Sequence, residues 1–305
     1  SNDKLPRLVC LRKHSLDTIS DVALVIVGRR QNADERLAHE TSIRMNLTPE
    51  QIEFYRANGF VQIDGLLSPG ETERLRASLS EAVELARSSS HDLSSGRREY
   101  ERVFQQLVNL WQVHDGLREH VLSPRIAALA RALCGMDVRL WHDQALIKNA
   151  GDSKETDWHQ DLPYWPMAQP GALSCWLALD DVDESNGCMQ FIPGSHQLGI
   201  FDPVDLIEGS SLLELASSRH GALPPPHVAR MRAGSCTFHD GRTFHFAFAN
   251  RSPSPRRAMI TIYMPDATIF NGAQHVVTDG LGLNPGCPLE GELFPLLTGQ
   301  PQSQG

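Results

Sequence analysis

The chain has 305 residues, of which 41% are hydrophobic and 21% are charged. This composition is typical of a globular protein with a sizeable core, and it excludes a disordered or fibrous chain. The net charge of −9 disfavours a nucleic-acid partner, because such a surface repels phosphate. No apolar run reaches the roughly 18 residues that span a bilayer, and none resembles a signal peptide. Six cysteines without CxxC pairing indicate reduced thiols in a cytoplasmic protein.

The first part of the chain differs from the rest, because residues 1–44 are polar apart from one β-like run at Val22–Val27. A capping box with proline at the first helical position follows at Thr48–Gln51, and Gly59 predicts the end of that helix. We therefore predict an N-terminal extension over residues 1–44 and a single domain over residues 45–305.

Further helices are predicted after a short strand at Phe60–Leu67. A second capping box, at Ser68–Glu71, begins a helix with an apolar face. That face is formed by Leu75, Leu79, Val83 and Leu85. A serine-rich stretch at Ser88–Arg98 predicts a loop, and helices are predicted at about Val103–Val113 and Arg125–Leu133.

From Asp137 onward, short β-like runs alternate with turns rich in glycine, proline, asparagine and aspartate. The runs are Val138–Lys148, Leu173–Val182, Met189–Ile192, Val228–Met231, Cys236–His239 and Arg256–Met264. Such spacing is typical of a sandwich or barrel, and helices followed by strands predict an α+β fold. The glycine- and proline-rich segment after Asp266 is predicted to be surface loop.

The segment Trp158–Asp161 contains the one His-x-acid triplet of the chain. On a strand, residues i and i+2 project to one face, so the His159 imidazole and the Asp161 carboxylate can hold one metal ion. With 13 histidines in the chain, one such triplet does not by itself define a site. A third ligand is available in the segment His239–His245.

Two histidines and one carboxylate form a facial triad that leaves three positions open on Fe(II), enough for an α-keto acid and O₂. Zinc hydrolysis would instead favour a nearly closed tetrahedral site. Either His239 or His245 can complete the triad. His239 follows a β-like run and also suits a strand end beside the metal, so we favour His245, which lies beyond the turn.

Strand alternation separates the adjacent arginines Arg256 and Arg257, which follow His245 at a distance suited to a turn and a returning antiparallel strand. Arg256 shares its face with Ala258, Ile260, Ile262 and Met264. A guanidinium on such an apolar face requires an anion, and its fork matches a carboxylate. We predict that Arg256 binds the distal carboxylate of 2-oxoglutarate and that Arg257 lies at the surface.

Three segments closely resemble the phytanoyl-CoA dioxygenase family, which includes ectoine hydroxylases. They are Trp158–Pro166, Ala178–Cys188 and Ile192–His196, within a resemblance that runs from about Met45 to Met264. The resemblance implies a double-stranded β-helix, or jelly-roll, with the N-terminal helices packed outside. It also implies an Fe(II)- and 2-oxoglutarate-dependent dioxygenase that hydroxylates an unactivated C–H bond of a small molecule and releases succinate and CO₂.

Residue by residue, the resemblance assigns iron to His159, Asp161 and His245 and the co-substrate carboxylate to Arg256. It implies O₂ as the second co-substrate and stimulation by ascorbate. In related halogenases a small residue replaces the aspartate, so the presence of Asp161 implies hydroxylation.

The resemblance also implies roles for residues around the metal motif. It places Trp176 and Gln144 near 2-oxoglutarate, although a core tryptophan explains Trp176 equally well. Tyr164 and Trp165 follow the metal motif where relatives place aromatic residues that contact the substrate. Lys148 ends a Leu-Ile-Lys stretch like one in the family, without a defined role.

Two other classes of protein remain open. One is a jelly-roll metalloenzyme that uses no keto acid, such as an isomerase or a hydrolase, and the other is a non-catalytic binding or sensing module that retains its metal. The net charge disfavours a bulky polyanion such as an acyl-CoA, so we predict a small metabolite or natural-product intermediate as substrate. The sequence predicts no membrane partner and leaves the oligomeric state open.

Overall fold

The computed structural model describes residues 46–88, 105–151, 153–206 and 211–297. The helices are α1 Pro49–Asn58, α2 Pro69–Ser88, α3 Asp115–Val121, α4 Pro124–Cys134 and α5 Leu212–His220. The strands are β1 Phe60–Ile63, β2 Gln105–Val108, β3 Val138–Lys148, β4 Thr156–His159, β5 Leu173–Ala178, β6 Met189–Phe191, β7 His227–Ala229, β8 Cys236–Asp240, β9 His245–Ala247 and β10 Arg256–Pro265. Within these ranges, no helix is both long and apolar enough to cross a membrane.

The strands form two antiparallel sheets that enclose one core. The six-stranded sheet has the order β1-β8-β5-β10-β3-β2, and the four-stranded sheet has the order β4-β9-β6-β7. Buried side chains from both sheets meet in one cluster, among them Trp141, Trp176 and Ile260 from the larger sheet and Phe191 from the smaller. Helix α4 lies against β3 and β5, outside the sandwich. The predicted α+β jelly-roll with external helices is therefore confirmed.

Helix α1 begins and ends where its capping residues predict. The Thr48 hydroxyl accepts a hydrogen bond from the Gln51 amide at 3.3 Å, and the Gln51 side chain accepts one from the Thr48 amide at 2.9 Å. Gly59 ends the helix with φ of 81°, a conformation that favours glycine. Its carbonyl accepts hydrogen bonds from the Asp240 amide and the Thr243 hydroxyl, both at 2.8 Å. Helix α1 is thereby joined to the turn that precedes His245.

The helix predicted at Val103–Val113 is wrong, because this segment contains strand β2 and a short 3₁₀ turn. β2 pairs with β3, and the buried Asp143 carboxylate accepts hydrogen bonds from the Leu110 and Trp111 amides at 3.1 and 3.2 Å. Asp143 on strand β3 lies more than thirty residues further along the chain than Leu110 and Trp111, so local periodicity does not reveal these contacts.

On α2, Leu85 is exposed, unlike the other three predicted apolar residues of that helix.

Beyond Asp266, the described chain contains no helix or regular strand, yet it is not the surface loop that we predicted. It contributes buried side chains to the sandwich: Phe270, Val277, Leu289, Phe294 and Leu297. The Phe294 ring stacks on Trp141 with centroids 5.4 Å apart. The Arg139 side chain donates to the Phe294 carbonyl at 3.0 Å. Apolar residues at irregular spacing give no periodic pattern, which explains why the sequence did not predict their burial.

Replacing Phe294 by alanine is expected to lower the free energy of unfolding by about 3–5 kcal/mol, because the substitution leaves a cavity against Trp141. Urea denaturation measures this change. Leu296→Ala is the matched control, since Leu296 is 39% exposed and its loss should cost under about 1 kcal/mol. Equal effects of the two substitutions would show that the segment does not belong to the core.

The predicted extension over residues 1–44 and the loop predicted after Ser88 lie outside the described residues. A chain that begins at Met45 is expected to unfold cooperatively and to retain its activity, because the Thr48 capping box starts a folded helix independently. Denaturation and turnover of the shortened chain test this prediction. Loss of cooperative unfolding would assign the Val22–Val27 run to the core.

Candidate active site

Two histidines face each other across neighbouring strands of the smaller sheet. His159 is the last residue of β4 and His245 is the first residue of β9, and the two are partners in the β4–β9 register. Their ring centroids are 4.0 Å apart. The strand pairing therefore presents both imidazoles at one point.

Asp161 joins these histidines by a different route from the one predicted. It lies beyond the end of β4, with helical backbone angles of −77° and −42°, at the start of a 3₁₀ turn. Strand alternation is thus not what brings its carboxylate next to His159. The chain turns immediately after the strand, and the Leu162 amide donates to the Gly241 carbonyl at 2.8 Å, which holds the turn in place.

The three side chains present one ligand atom each, all within 4.8 Å of one another. The Nε2 atoms of His159 and His245 lie 3.6 and 3.5 Å from Oδ1 of Asp161. Nδ1 of His159 lies 2.6 Å from the Asp157 carbonyl, and Nδ1 of His245 lies 2.9 Å from the Thr243 carbonyl. A carbonyl only accepts hydrogen bonds, so each Nδ1 bears the proton and each Nε2 lone pair is free for a metal ion.

The second oxygen of Asp161 is held by the larger sheet. Oδ2 accepts a hydrogen bond from the Ser174 hydroxyl at 3.1 Å, and Nε2 of His239 lies 3.4 Å from it. Ser174 and His239 are themselves partners in the β5–β8 register. The geometry therefore favours His245 as a metal ligand, whereas His239 contacts Oδ2, the second Asp161 oxygen. Ser174 is not among the residues predicted from the sequence, although its position two residues before Trp176 on the same strand was the available signal.

The electrostatics of the cluster suit a divalent cation. Burial alone would raise the pKa of the Asp161 carboxyl, but the neighbouring imidazoles of His245, His159 and His239 hold that pKa well below its usual range. Burial and the neighbouring His245 lower the pKa of His159. Asp161 is thus a carboxylate and His159 a neutral imidazole near neutral pH, which are the forms that bind metal ions.

These groups line a cavity of about 510 Å³, within the range of small-molecule sites. All the other predicted site residues line it as well: Gln144, Tyr164, Trp165, Trp176 and Arg256. The Tyr164 hydroxyl donates to the Val204 carbonyl at 2.6 Å and accepts from the Val204 amide at 3.0 Å, so its ring is fixed in the wall.

Arg256 is 2% exposed, at the start of β10. Its Nη1 donates to the Leu146 carbonyl at 3.2 Å, and its Nε has no hydrogen-bond partner among the described residues. The guanidinium lies 5.2 Å from the centre of the Trp176 ring, within the range of a cation–π contact. Burial lowers the pKa of Arg256 to about 10, so it stays charged and available to an anion from the cavity.

Arg257 occupies the opposite face of β10. Its Nε and Nη2 donate to the two Asp180 oxygens at 3.0 and 2.6 Å. Alternation along β10 therefore gives the two arginines different surroundings: Arg257 has a carboxylate partner, whereas Arg256 lines the cavity. The sequence predicts a turn after His245 and then a strand that returns antiparallel, and this is only partly correct. β10 does follow the turn, but it lies between β3 and β5 in the larger sheet, whereas β9 belongs to the smaller sheet.

The outer wall of the cavity contains residues that the sequence did not indicate. They are His142, Gln274, His275, Val276 and Asp279. The His275 ring lies 5.8 Å from the His142 ring and 5.2 Å from Trp141, measured between centroids. Four of the five belong to the irregular segment after β10, where no pattern marks them.

The chain resembles characterised proteins along most of its length. It is 28% identical over 263 residues to ectoine dioxygenase from Bordetella parapertussis, covering 78% of this chain and 80% of that protein. The structure of the alpha-ketoglutarate-dependent carbocyclase SnoK from nogalamycin biosynthesis matches with a TM-score of 0.71 and 32% identity, covering 83% of this chain and 97% of that one. The epimerase SnoN, in complex with Fe³⁺, alpha ketoglutarate and nogalamycin RO, matches with a TM-score of 0.68 and 32% identity, covering 82% and 98%.

The sequence profile of the phytanoyl-CoA dioxygenase (PhyH) family matches residues 55–258, about two thirds of the chain. That span contains the His159, Asp161 and His245 cluster and also Arg256. The chain therefore belongs to the phytanoyl-CoA dioxygenase family, whose enzymes are iron- and 2-oxoglutarate-dependent dioxygenases.

Proposed function

We propose that this dioxygenase hydroxylates a C–H bond of a small metabolite or natural-product intermediate, with His159, Asp161 and His245 as its iron ligands. One observation supports this most strongly: a two-histidine, one-carboxylate cluster and a buried arginine without a carboxylate partner in the described chain line the same cavity. This donor set leaves coordination positions open, unlike a closed structural metal site.

Iron with 2-oxoglutarate supplies the oxidising chemistry, in which O₂ is consumed, 2-oxoglutarate becomes succinate and CO₂, and a substrate C–H bond is oxidised. His159 and His245 offer Nε2 to the metal, and Asp161 offers Oδ1. Ser174 and His239 hold Oδ2, so the carboxylate keeps one orientation. Orienting contacts of this kind set both the geometry and the affinity of a metal site.

Arg256 binds the distal carboxylate of 2-oxoglutarate in this proposal. The Arg256 guanidinium has donors to spare and lies beside Trp176, whose ring forms one wall of the co-substrate site. Gln144 lines the same wall from the neighbouring strand β3. Burial and the nearby Arg256 guanidinium lower the pKa of Lys148 to about 6. Near pH 7 Lys148 is then largely neutral, so Arg256 is the cation that a carboxylate in this part of the cavity would meet.

The charges of the cavity also limit the substrate. Lys148 and Arg256 are the lysine and arginine residues of the described lining, and both are almost fully buried. Asp279 adds a negative charge to the outer wall. An acyl-CoA or another polyphosphate requires several cations, so the lining supports a compact substrate that is neutral or bears a basic nitrogen.

A second outcome at the same site is supported by two relatives. SnoK is a carbocyclase and SnoN an epimerase, and both resemble this chain at about 30% identity over most of its length. The second candidate is therefore ring closure or epimerisation of a natural-product intermediate. It uses the same iron ligands and co-substrate and differs from hydroxylation in whether oxygen enters the product.

The described cysteines support a reducing, cytoplasmic compartment. Cys175, Cys188 and Cys236 are buried free thiols, and the described chain contains no disulfide. Localisation of the tagged protein by cell fractionation tests this part of the proposal.

The functional experiment screens metabolites and natural-product intermediates for succinate formed with Fe(II) and 2-oxoglutarate under ¹⁸O₂. We expect succinate release that depends on a substrate, with one labelled oxygen in the product. A product without label identifies the cyclase or epimerase alternative. Turnover without 2-oxoglutarate would instead identify an isomerase or hydrolase. Stoichiometric iron binding without any turnover would identify a sensing module.

A further inference from the structure

Lys148, the last residue of β3, makes an unusual set of contacts for a lysine. Its side chain is 1% exposed, and its Nζ donates to the carbonyls of Lys154, Ala247 and Phe248 at 3.0, 3.2 and 2.6 Å. Within the described residues, all of its side-chain hydrogen bonds go to backbone carbonyls. One amine thereby donates to three carbonyls in a partly buried setting.

These carbonyls lie at or beside the ends of the two strands that present the histidines. Lys154 lies two residues before β4, which ends at His159, and Ala247 ends β9, which begins at His245. Across the pair, Thr156 is the partner of Ala247, just as His159 is the partner of His245. The amine of Lys148 therefore joins β4 and β9 at the end of the pair opposite the histidines.

The same residue is connected to the strand of Arg256. Lys148 and Arg256 are partners in the β3–β10 register. The Asn250 side-chain amide donates to the Lys148 carbonyl at 3.0 Å and to the Ser254 carbonyl at 2.8 Å, so it holds the turn that leads into β10. Lys148 thus lies where β3, β4, β9 and β10 meet, between the smaller sheet with the histidines and the larger sheet with the arginine.

We propose that Lys148 is a positioning residue of this enzyme, which sets the separation of His159 and His245 by joining β4 to β9. The inference rests on the iron ligands proposed above. A neutral amine donates two hydrogen bonds and an ammonium three, so the contact persists in both protonation states and is complete in the charged one. Methionine has a similar shape but no donor, and it would leave the three carbonyls without this partner.

The test compares Lys148→Met with Lys154→Met, whose side chain is exposed and whose carbonyl remains. Mn(II) is the probe, measured by calorimetry well below the melting temperature of each variant. We expect Lys148→Met to bind Mn(II) at least about tenfold more weakly than the wild type, the size typical for residues that orient metal ligands. Lys154→Met should bind within about twofold of the wild type, and Lys148→Gln, which keeps two donors, should fall between.

Hydrogen exchange supplies a readout that a general loss of stability would not reproduce. In Lys148→Met, the amides of β4 and β9 should exchange faster, while those of β5 should be unchanged. Should Lys148→Met not fold, Lys148→Gln decides by the same two measurements. Unchanged Mn(II) affinity, or faster exchange spread evenly over both sheets, would overturn the proposal.

Neither measurement requires turnover. A wild-type protein that binds Mn(II) but forms no succinate would therefore contradict the proposed reaction. The Mn(II) affinities and exchange rates of the variants would still decide the role of Lys148. A wild-type protein that binds no Mn(II) would refute the ligand assignment, and with it the inference about Lys148.

Discussion

Replacing His159, Asp161 or His245 by alanine is expected to abolish iron binding and 2-oxoglutarate turnover while the protein still folds. Each substitution removes one of three ligand atoms that lie within 4.8 Å of one another. Two remaining ligands do not form the facial set that fixes iron. Binding of Fe(II) and release of succinate measure the loss, and circular dichroism verifies the fold.

The residues that hold Asp161 provide the matched controls. His239→Ala and Ser174→Ala each remove one contact to Oδ2 and leave all three ligand atoms in place. We expect iron to bind about 10–100-fold more weakly in these variants, with measurable turnover. If His239→Ala lost iron completely and His245→Ala retained it, the third ligand would be His239.

Arg256→Gln is expected to raise the apparent KM for 2-oxoglutarate by about a hundredfold or more, with iron affinity nearly unchanged. Hydrogen bonds to charged groups contribute roughly 1.5–3 kcal/mol each, and about 1.4 kcal/mol corresponds to a factor of ten. The loss of two bonds to one carboxylate therefore suffices for the expected rise. Titration of 2-oxoglutarate at saturating iron measures it.

Arg257→Gln is the control for this measurement, because Arg257 is the adjacent residue on the same strand. Its guanidinium is already paired with Asp180, away from the cavity, and its side chain is partly exposed. We expect a small loss of stability, within about 1 kcal/mol, and a KM near that of the wild type. A large rise in KM for Arg257→Gln, with a normal Arg256→Gln, would reverse the assignment.

The sequence by itself determined the features that depend on local contacts. The Thr48 capping box and Gly59 set the limits of α1, because their hydrogen bonds join residues three or four positions apart. The β-like run Val138–Lys148 is strand β3 from end to end. Strand alternation distinguished Arg256 from Arg257 because side chains on a strand point alternately to its two faces. The motif around His159 also identified the family and, with it, the chemistry.

Only the tertiary structure decided which distant groups meet. His245 lies opposite His159 because β9 pairs with β4 across a long separation in sequence, and no local pattern encodes that register. Asp161 reaches the same point through a turn, whereas the sequence predicts this placement from strand alternation, which Asp161 does not follow. The same holds for His275 in the outer wall of the cavity, which lies in a segment far along the chain from the metal motif. It holds also for Lys148, whose contacts beside β4 and β9 form only after the two sheets have packed together. Hydrogen bonds and burial between such segments depend on the whole fold, so neither propensity nor spacing along the chain predicts them.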